Sequence, residues 1–129
     1  MDRLLEATAW VQAGRSDVAR ERLEEGVERL PDERHLSNSL ARLLATASEP
    51  AVRDGARALE IARRLYTVDP SPDVTETLAM ALAESGDYEQ AISVQRGLIA
   101  QVKNAGQTGH LPRLEANLQR YERNQPVRM

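Results

Sequence analysis

The two histidines, His35 and His110, are the side chains best suited to moving protons or holding a metal near neutral pH. They are far apart in sequence, and neither has a second His or Cys at ligand spacing. Carboxylates are plentiful, with Glu21, Glu24 and Glu25 crowded together and Arg29 four residues beyond Glu25. On a helix such pairs mark a solvated face, each contributing roughly 0.2–0.5 kcal/mol. A general acid instead needs a carboxyl desolvated in a cleft. Gly106 and Gly109 precede a helical pattern but lack the Lys and Ser or Thr of a phosphate-binding loop. No serine sits in a nucleophile-elbow setting. The expectation is a chain with no catalytic residues, no cofactor and no metal site, and hence not an enzyme.

Arg53, Arg57 and Arg64 fall on one stripe of an expected fourth helix, with Glu60 among them. No aromatic residues interleave with them for base stacking, and the formal net charge is -3, so nucleic acid is not an expected partner and the stripe reads as a solvated outer face. Lys103 is the sole lysine among 17 basic residues, a bias that reads as a property of the source genome. The absence of cysteine removes disulfides and thiolate metal sites and leaves the redox compartment open. No apolar run reaches membrane-spanning length, so no membrane partner is expected. The opening MDRLLEATAWVQAG is too polar for a secretory leader. A soluble chain is expected, in either cytoplasm or periplasm.

At 129 residues the chain suits one domain. Hydrophobic residues make up 41% and aromatics only 3%, so the core must come from Leu, Ala, Val and Ile, which favours helix packed on helix. A repeat runs along it. Ala13-Gly14-Arg15-Ser16-Asp17-Val18-Ala19 parallels Ser85-Gly86-Asp87-Tyr88-Glu89-Gln90-Ala91, each with Gly placed to close one helix in a left-handed turn and Ser16 or Asp87 placed to cap the next. Ala7 precedes Ala19, and Ala79 precedes Ala91, by the same interval that separates Ala19 from Pro31 and Ala58 from Pro70. Trp10, Leu44 and Leu82 sit three residues after Ala7, Ala41 and Ala79. Small residues suit close helix crossings, large ones fill the hairpin, and Pro stops the second helix. Helices are expected near 2–13, 16–29, 32–46, 51–68, 73–85, 88–104 and 109–123. Between Ala41 and Ala58 the spacing is longer than elsewhere, the excess falling around Ala47–Asp54, where Pro50 is placed to start the next helix. Leu111, Leu114, Leu118 and Tyr121 give the last helix one apolar stripe and leave its other face polar, as a terminal cap requires.

On these residues the chain resembles the tetratricopeptide repeat family, whose unit places small residues on its first helix, Gly at the turn, Ala on the second helix and Pro at its end. The segments ARLLATASEPAVRDGARALEIARRLY, TLAMALAESGDYEQAI and LEANLQRYERNQPVR resemble the C-terminal end of long bacterial proteins of this kind. The resemblance implies an all-α fold: a right-handed α-α superhelix of about three helical hairpins plus a C-terminal capping helix, about seven helices in one domain, 1–129. Its repeats would be about 1–31, 32–70 and 71–104, with the cap at about 109–123. Glu6 stands where a large apolar residue is usual, and the chain is expected to be the end of a longer protein or a trimmed part of one.

In such a stack the first helix of each hairpin lines the concave face. The resemblance then implies groove positions His35, Asn38, Arg42 and Thr46 in the second unit, Asp73, Glu76, Met80 and Ala83 in the third with Glu84 at the rim, and Thr8 and Gln12 in the first. Some relatives grip a peptide's terminal carboxylate through Lys, Arg and Asn, but the matching slots here hold Leu4, Thr8, Ser39, Asp73 and Thr77, so that clamp is absent. One wall is cationic and polar (His35, Asn38, Arg42) and the other anionic (Asp73, Glu76, Glu84). A protein or peptide segment of mixed or basic charge is the expected ligand, with Met80 as an adaptable apolar contact. The competing reading pairs these residues with one another. The expected function is a non-catalytic protein- or peptide-binding scaffold module. The alternative is a structural cap or self-associating module with no groove ligand, for which Leu4, Leu5 and Val11 on the first helix would supply the apolar surface.

Overall fold

A computed structural model describes residues 3–129. Seven α-helices and no strand occur among them: α1 (Arg3–Gln12), α2 (Ser16–Arg29), α3 (Arg34–Thr46), α4 (Gly55–Val68), α5 (Pro72–Glu84), α6 (Tyr88–Asn104) and α7 (Leu111–Glu122). The expected start of the first helix at residue 2 lies outside the described residues. Each helix packs on its successor, so α1–α2, α3–α4 and α5–α6 are antiparallel hairpins. In addition α1 touches α3 and α3 touches α5, which sets the first helices of successive hairpins side by side along one surface. This is the all-helical repeat arrangement expected from the sequence.

The small residues lie where the helices cross. Ala19, Ala41, Ala58, Ala79 and Ala91 are all 0% exposed, which lets backbones approach closely. Leu40, Leu44 and Leu82 fill the space between them. Glu6, in place of the usual apolar residue, reaches across the first hairpin to Arg22 at 3.1 Å.

The turns reuse one device. Gly14, Gly86 and Gly106 have φ of +77°, +87° and +71°. Each is followed by an amide that bonds back five residues, Arg15 N to Trp10 O at 2.8 Å, Asp87 N to Leu82 O at 2.9 Å and Gln107 N to Val102 O at 2.9 Å. After α7 the same turn recurs with Asn124 at φ 55° and Gln125 N bonded to Arg120 O at 2.8 Å. Asn tolerates this conformation better than other residues with a Cβ.

Several boundaries differ from expectation. Ser16 is not a cap: Arg15 holds that position without a capping bond from its side chain, which pairs with Asp17 instead, and Ser16 is a buried first residue of α2. Asp87 does cap α6, accepting from Gln90 N at 3.1 Å. Pro50 does not start α4. The segment 51–54 is a turn whose Val52 plugs the core and whose Asp54 caps α4 by accepting from Arg57 N at 3.1 Å. Glu33 caps α3, so that helix begins later than expected, and a 3-10 turn, Thr108–His110, precedes α7. Arg53 therefore lies outside the fourth helix and is not part of a solvated stripe. Its guanidinium donates to Ala47 O at 2.7 Å and Ser48 O at 3.1 Å, carbonyls that the end of α3 leaves without helical partners. Arg57 is likewise paired across the second and first hairpins with Glu24, while Arg64 pairs with Glu60 at 2.8 Å on the surface.

Gly97 lies inside α6 with nothing within 4 Å of where a Cβ would stand. Gly97→Ala is expected to stabilise the chain by about 0.5–1 kcal/mol, because it lowers the entropy of the unfolded chain without a clash. A raised urea midpoint with an unchanged slope is the expected observation.

Candidate concave-face site

The surface shared by α1, α3 and α5 carries a ladder of polar contacts between the second and third hairpins. Asn38 donates to Asp73 Oδ2 at 2.9 Å. Arg42 donates to Asp73 O at 3.0 Å, Asp73 Oδ1 at 3.2 Å and Thr77 Oγ1 at 2.9 Å. Glu76, only 3% exposed, accepts two bonds from Arg113 of α7, at 2.8 and 3.1 Å, and lies 3.8 Å from Arg42. Arg113 in turn lies 3.5 Å from His110 Nδ1. The cationic and anionic walls expected from sequence thus meet each other.

The seven residues singled out from sequence separate into two layers. Asn38, Glu76 and Met80 are buried, and Met80 is a member of the main hydrophobic core. His35 and Asp73 are exposed, and Arg42 and Glu84 are partly so. His35 stands apart from the ladder at the start of α3, where its amide donates to Glu33. Glu84 stands at the other end, paired with Arg53 at 3.5 Å and Arg128 at 2.6 Å. Glu84 also packs against Gly55, where a Cβ would come within 3.1 Å of its Cγ.

Sequence reasoning missed the segment after α7. The turn at Asn124 sends 125–129 back over the ends of α5 and α3. Val127 packs against the main core, and Arg128 reaches Glu84 as well as Ala45 O at 3.4 Å. Met129 N donates to Thr46 O at 2.8 Å, and Ser48 Oγ donates to Met129 O. Beyond Met129 lies an open, mostly apolar cavity of about 400 Å³ lined by Leu4, Ala7, Val11, Leu23 and Leu43, with Arg42 at its edge. The alternation of Val127, Arg128 and Met129 after Pro126, which stops helix propagation, was the available signal.

Tyr121 of α7 is fully buried in the main core. Burial pushes its phenol well above the ordinary value, Glu76 adds to the rise, and Arg42 and Arg120 oppose it. In the unfolded chain the phenol ionises near pH 10. Above that pH the unfolded state holds fewer protons than the folded one, so stability falls as pH rises past about 10, by up to about 1.4 kcal/mol per pH unit. Below about pH 10 this contribution is constant. Tyr121→Phe is expected to reduce the fall, measured by urea unfolding at pH 8 and pH 11. Its Oη has no hydrogen-bond partner among the described residues, so little loss is expected at pH 8.

Among the described residues no group of three or more His, Cys, Asp or Glu side chains could hold a metal, and no helix is long and apolar enough to cross a membrane. No curated protein and no solved structure matches the chain significantly. A family model described as the tetratricopeptide repeat matches residues 4–52 and again 51–106, the two matches meeting in the long turn before α4. Repeats of this kind generally serve as scaffolds for protein–protein interaction. With the hairpins, the turn glycines and the buried alanines in the same places, the chain belongs to the tetratricopeptide repeat family.

Proposed function

We propose that this chain is a non-catalytic scaffold module that holds an extended protein segment across its concave face. Asn38, Glu76 and Met80 form the enclosed underlayer that fixes α3, α5 and α7 in register. His35, Arg42, Asp73 and Glu84 are the groups a ligand meets. Asp73 and Glu84 suit Lys or Arg side chains, and Arg42 suits a ligand carbonyl or carboxylate. The observation that carries this reading is the open apolar cavity of about 400 Å³ against α1 and α3, bordered by Arg42, on the same surface as the ladder. An apolar anchor pocket beside fixed charges is the usual layout of a peptide site. Neither nucleic acid nor membrane is a proposed partner.

The test is selection of a random peptide display library on the immobilised chain, followed by fluorescence anisotropy of the enriched peptides. Peptides rich in Arg or Lys beside an apolar residue are expected. Their affinity is expected to drop at least tenfold for Asp73→Arg combined with Leu43→Asn. No enrichment, or equal binding by that variant, counts against the reading. The second reading, a cap or self-associating module, draws on Leu5, 66% exposed on α1. A mass that rises with concentration in sedimentation and reverts with Leu5→Glu is the outcome that favours it.

A further inference from the structure

We infer that 125–129 is a tethered occupant of the concave face, and that the partner this face fits is an extended segment with an arginine flanked by apolar residues, which displaces it. This rests on the reading of the concave face as a peptide site and names both its ligand class and its regulation.

The segment is held in the way a ligand is held. It forms no helix or strand. Past the turn bond from Gln125 N to Arg120 O, its contacts with the stack include one main-chain amide to Thr46 O, one main-chain carbonyl to Ser48, one guanidinium to Glu84 and Ala45 O, and one apolar side chain, Val127, on the core. Ala45 and Thr46 belong to the last turn of α3, whose carbonyls have no partner within the helix and carry its negative dipole end. That end accepts the amides of any extended chain and favours a cation beside them. Glu84, 16% exposed at its side chain, supplies the charge selective for arginine. Pro126 keeps the segment from continuing α7, and the Asn124 turn aims it at the site.

Met129 is 53% exposed and only borders the cavity lined by Leu4, Ala7, Val11, Leu23 and Leu43. A competing segment with a bulkier apolar side chain at the place of Met129 reaches further into that cavity than methionine does. The few exposed contacts of 127–129 also make local release accessible without unfolding the stack. The tail therefore sets a threshold: weak, non-specific segments are excluded, and a segment carrying the same cation with a better anchor enters.

The experiment uses a fluorescein-labelled synthetic peptide with the sequence of residues 124–129 and measures anisotropy against the intact chain and a variant ending at Asn124. The shortened variant is expected to bind the peptide at least tenfold more tightly than the intact chain, because a tether this short presents the tail at roughly millimolar effective concentration. Glu84→Arg in the shortened variant is expected to weaken binding at least tenfold. Equal affinity for the intact and shortened chains overturns the tethered occupant while leaving the peptide site standing. No binding of this peptide by a folded shortened variant overturns the ligand class; if library-selected peptides also fail to bind, the peptide-site reading falls with it. If the shortened chain does not fold, Arg128→Glu in the full chain takes its place. It is expected to bind the labelled peptide at least fivefold more tightly than the intact chain, and unchanged affinity overturns the inference.

Discussion

Ala79→Leu is expected to destabilise the chain by about 3 kcal/mol, measured as a lowered urea midpoint. Ala79 is 0% exposed on α5, which packs against α3, α4 and α6 at once. Three added carbons have no void to enter, so α5 must shift or the leucine must leave its rotamer wells, and interiors packed to crystal density resist both. The same change at Ala56, exposed on α4, touches no crossing and is expected to stay within about 0.5 kcal/mol. An equal effect at the two positions contradicts the assignment of the alanines to close helix crossings.

Arg113→Ala is expected to cost about 2 kcal/mol, more than Glu76→Gln, although both break the same pair. The two partners differ in exposure: the Glu76 side chain is 4% exposed and that of Arg113 is 51% exposed. Without Arg113, the Glu76 carboxylate stays enclosed with only Arg42 at 3.8 Å and the buried ring of Tyr121 nearby. A buried charge stripped of its hydrogen bonds incurs most of its desolvation penalty. Without the Glu76 charge, Arg113 is already half in water and rehydrates, for a loss below about 1 kcal/mol. The double variant is expected to be no less stable than Arg113→Ala alone, since the stranded carboxylate is gone. Equal losses for the two single variants contradict the burial of Glu76.

The hairpins were legible because their signals are local and periodic. Gly14 and Gly86 mark turns that require positive φ, and the repeated alanines mark crossings that tolerate no larger side chain. The turn at Gly106 carried the same signal but, lacking a paired segment downstream, reads as a plain loop in sequence. Pro50 misled because a proline suits both a helix start and a turn, and Asp54, a better cap four residues on, decides the matter. The polar ladder was legible in its members but not in its pairing. Which of Asp73 and Glu76 meets Arg42, and that Arg113 of α7 covers Glu76, depends on how adjacent hairpins are rotated. Arg53 appeared to belong to a helical stripe because its spacing from Arg57 is helical, yet the carbonyls at the end of α3 claim it. The return of 125–129 onto α3 and α5 begins at one asparagine in a left-handed turn, and the alternation of Val127, Arg128 and Met129 that follows is too short to mark an element.

The most direct measurement is amide chemical-shift mapping of the isotopically labelled chain titrated with its best library-selected peptide. A concave-face site is expected to give perturbations concentrated in 35–46, 73–84 and 125–129 and in the α1 residues around Ala7. Perturbations gathered instead on the outer helices, around Leu30, Tyr66 and Val68, would contradict the concave face as the binding surface.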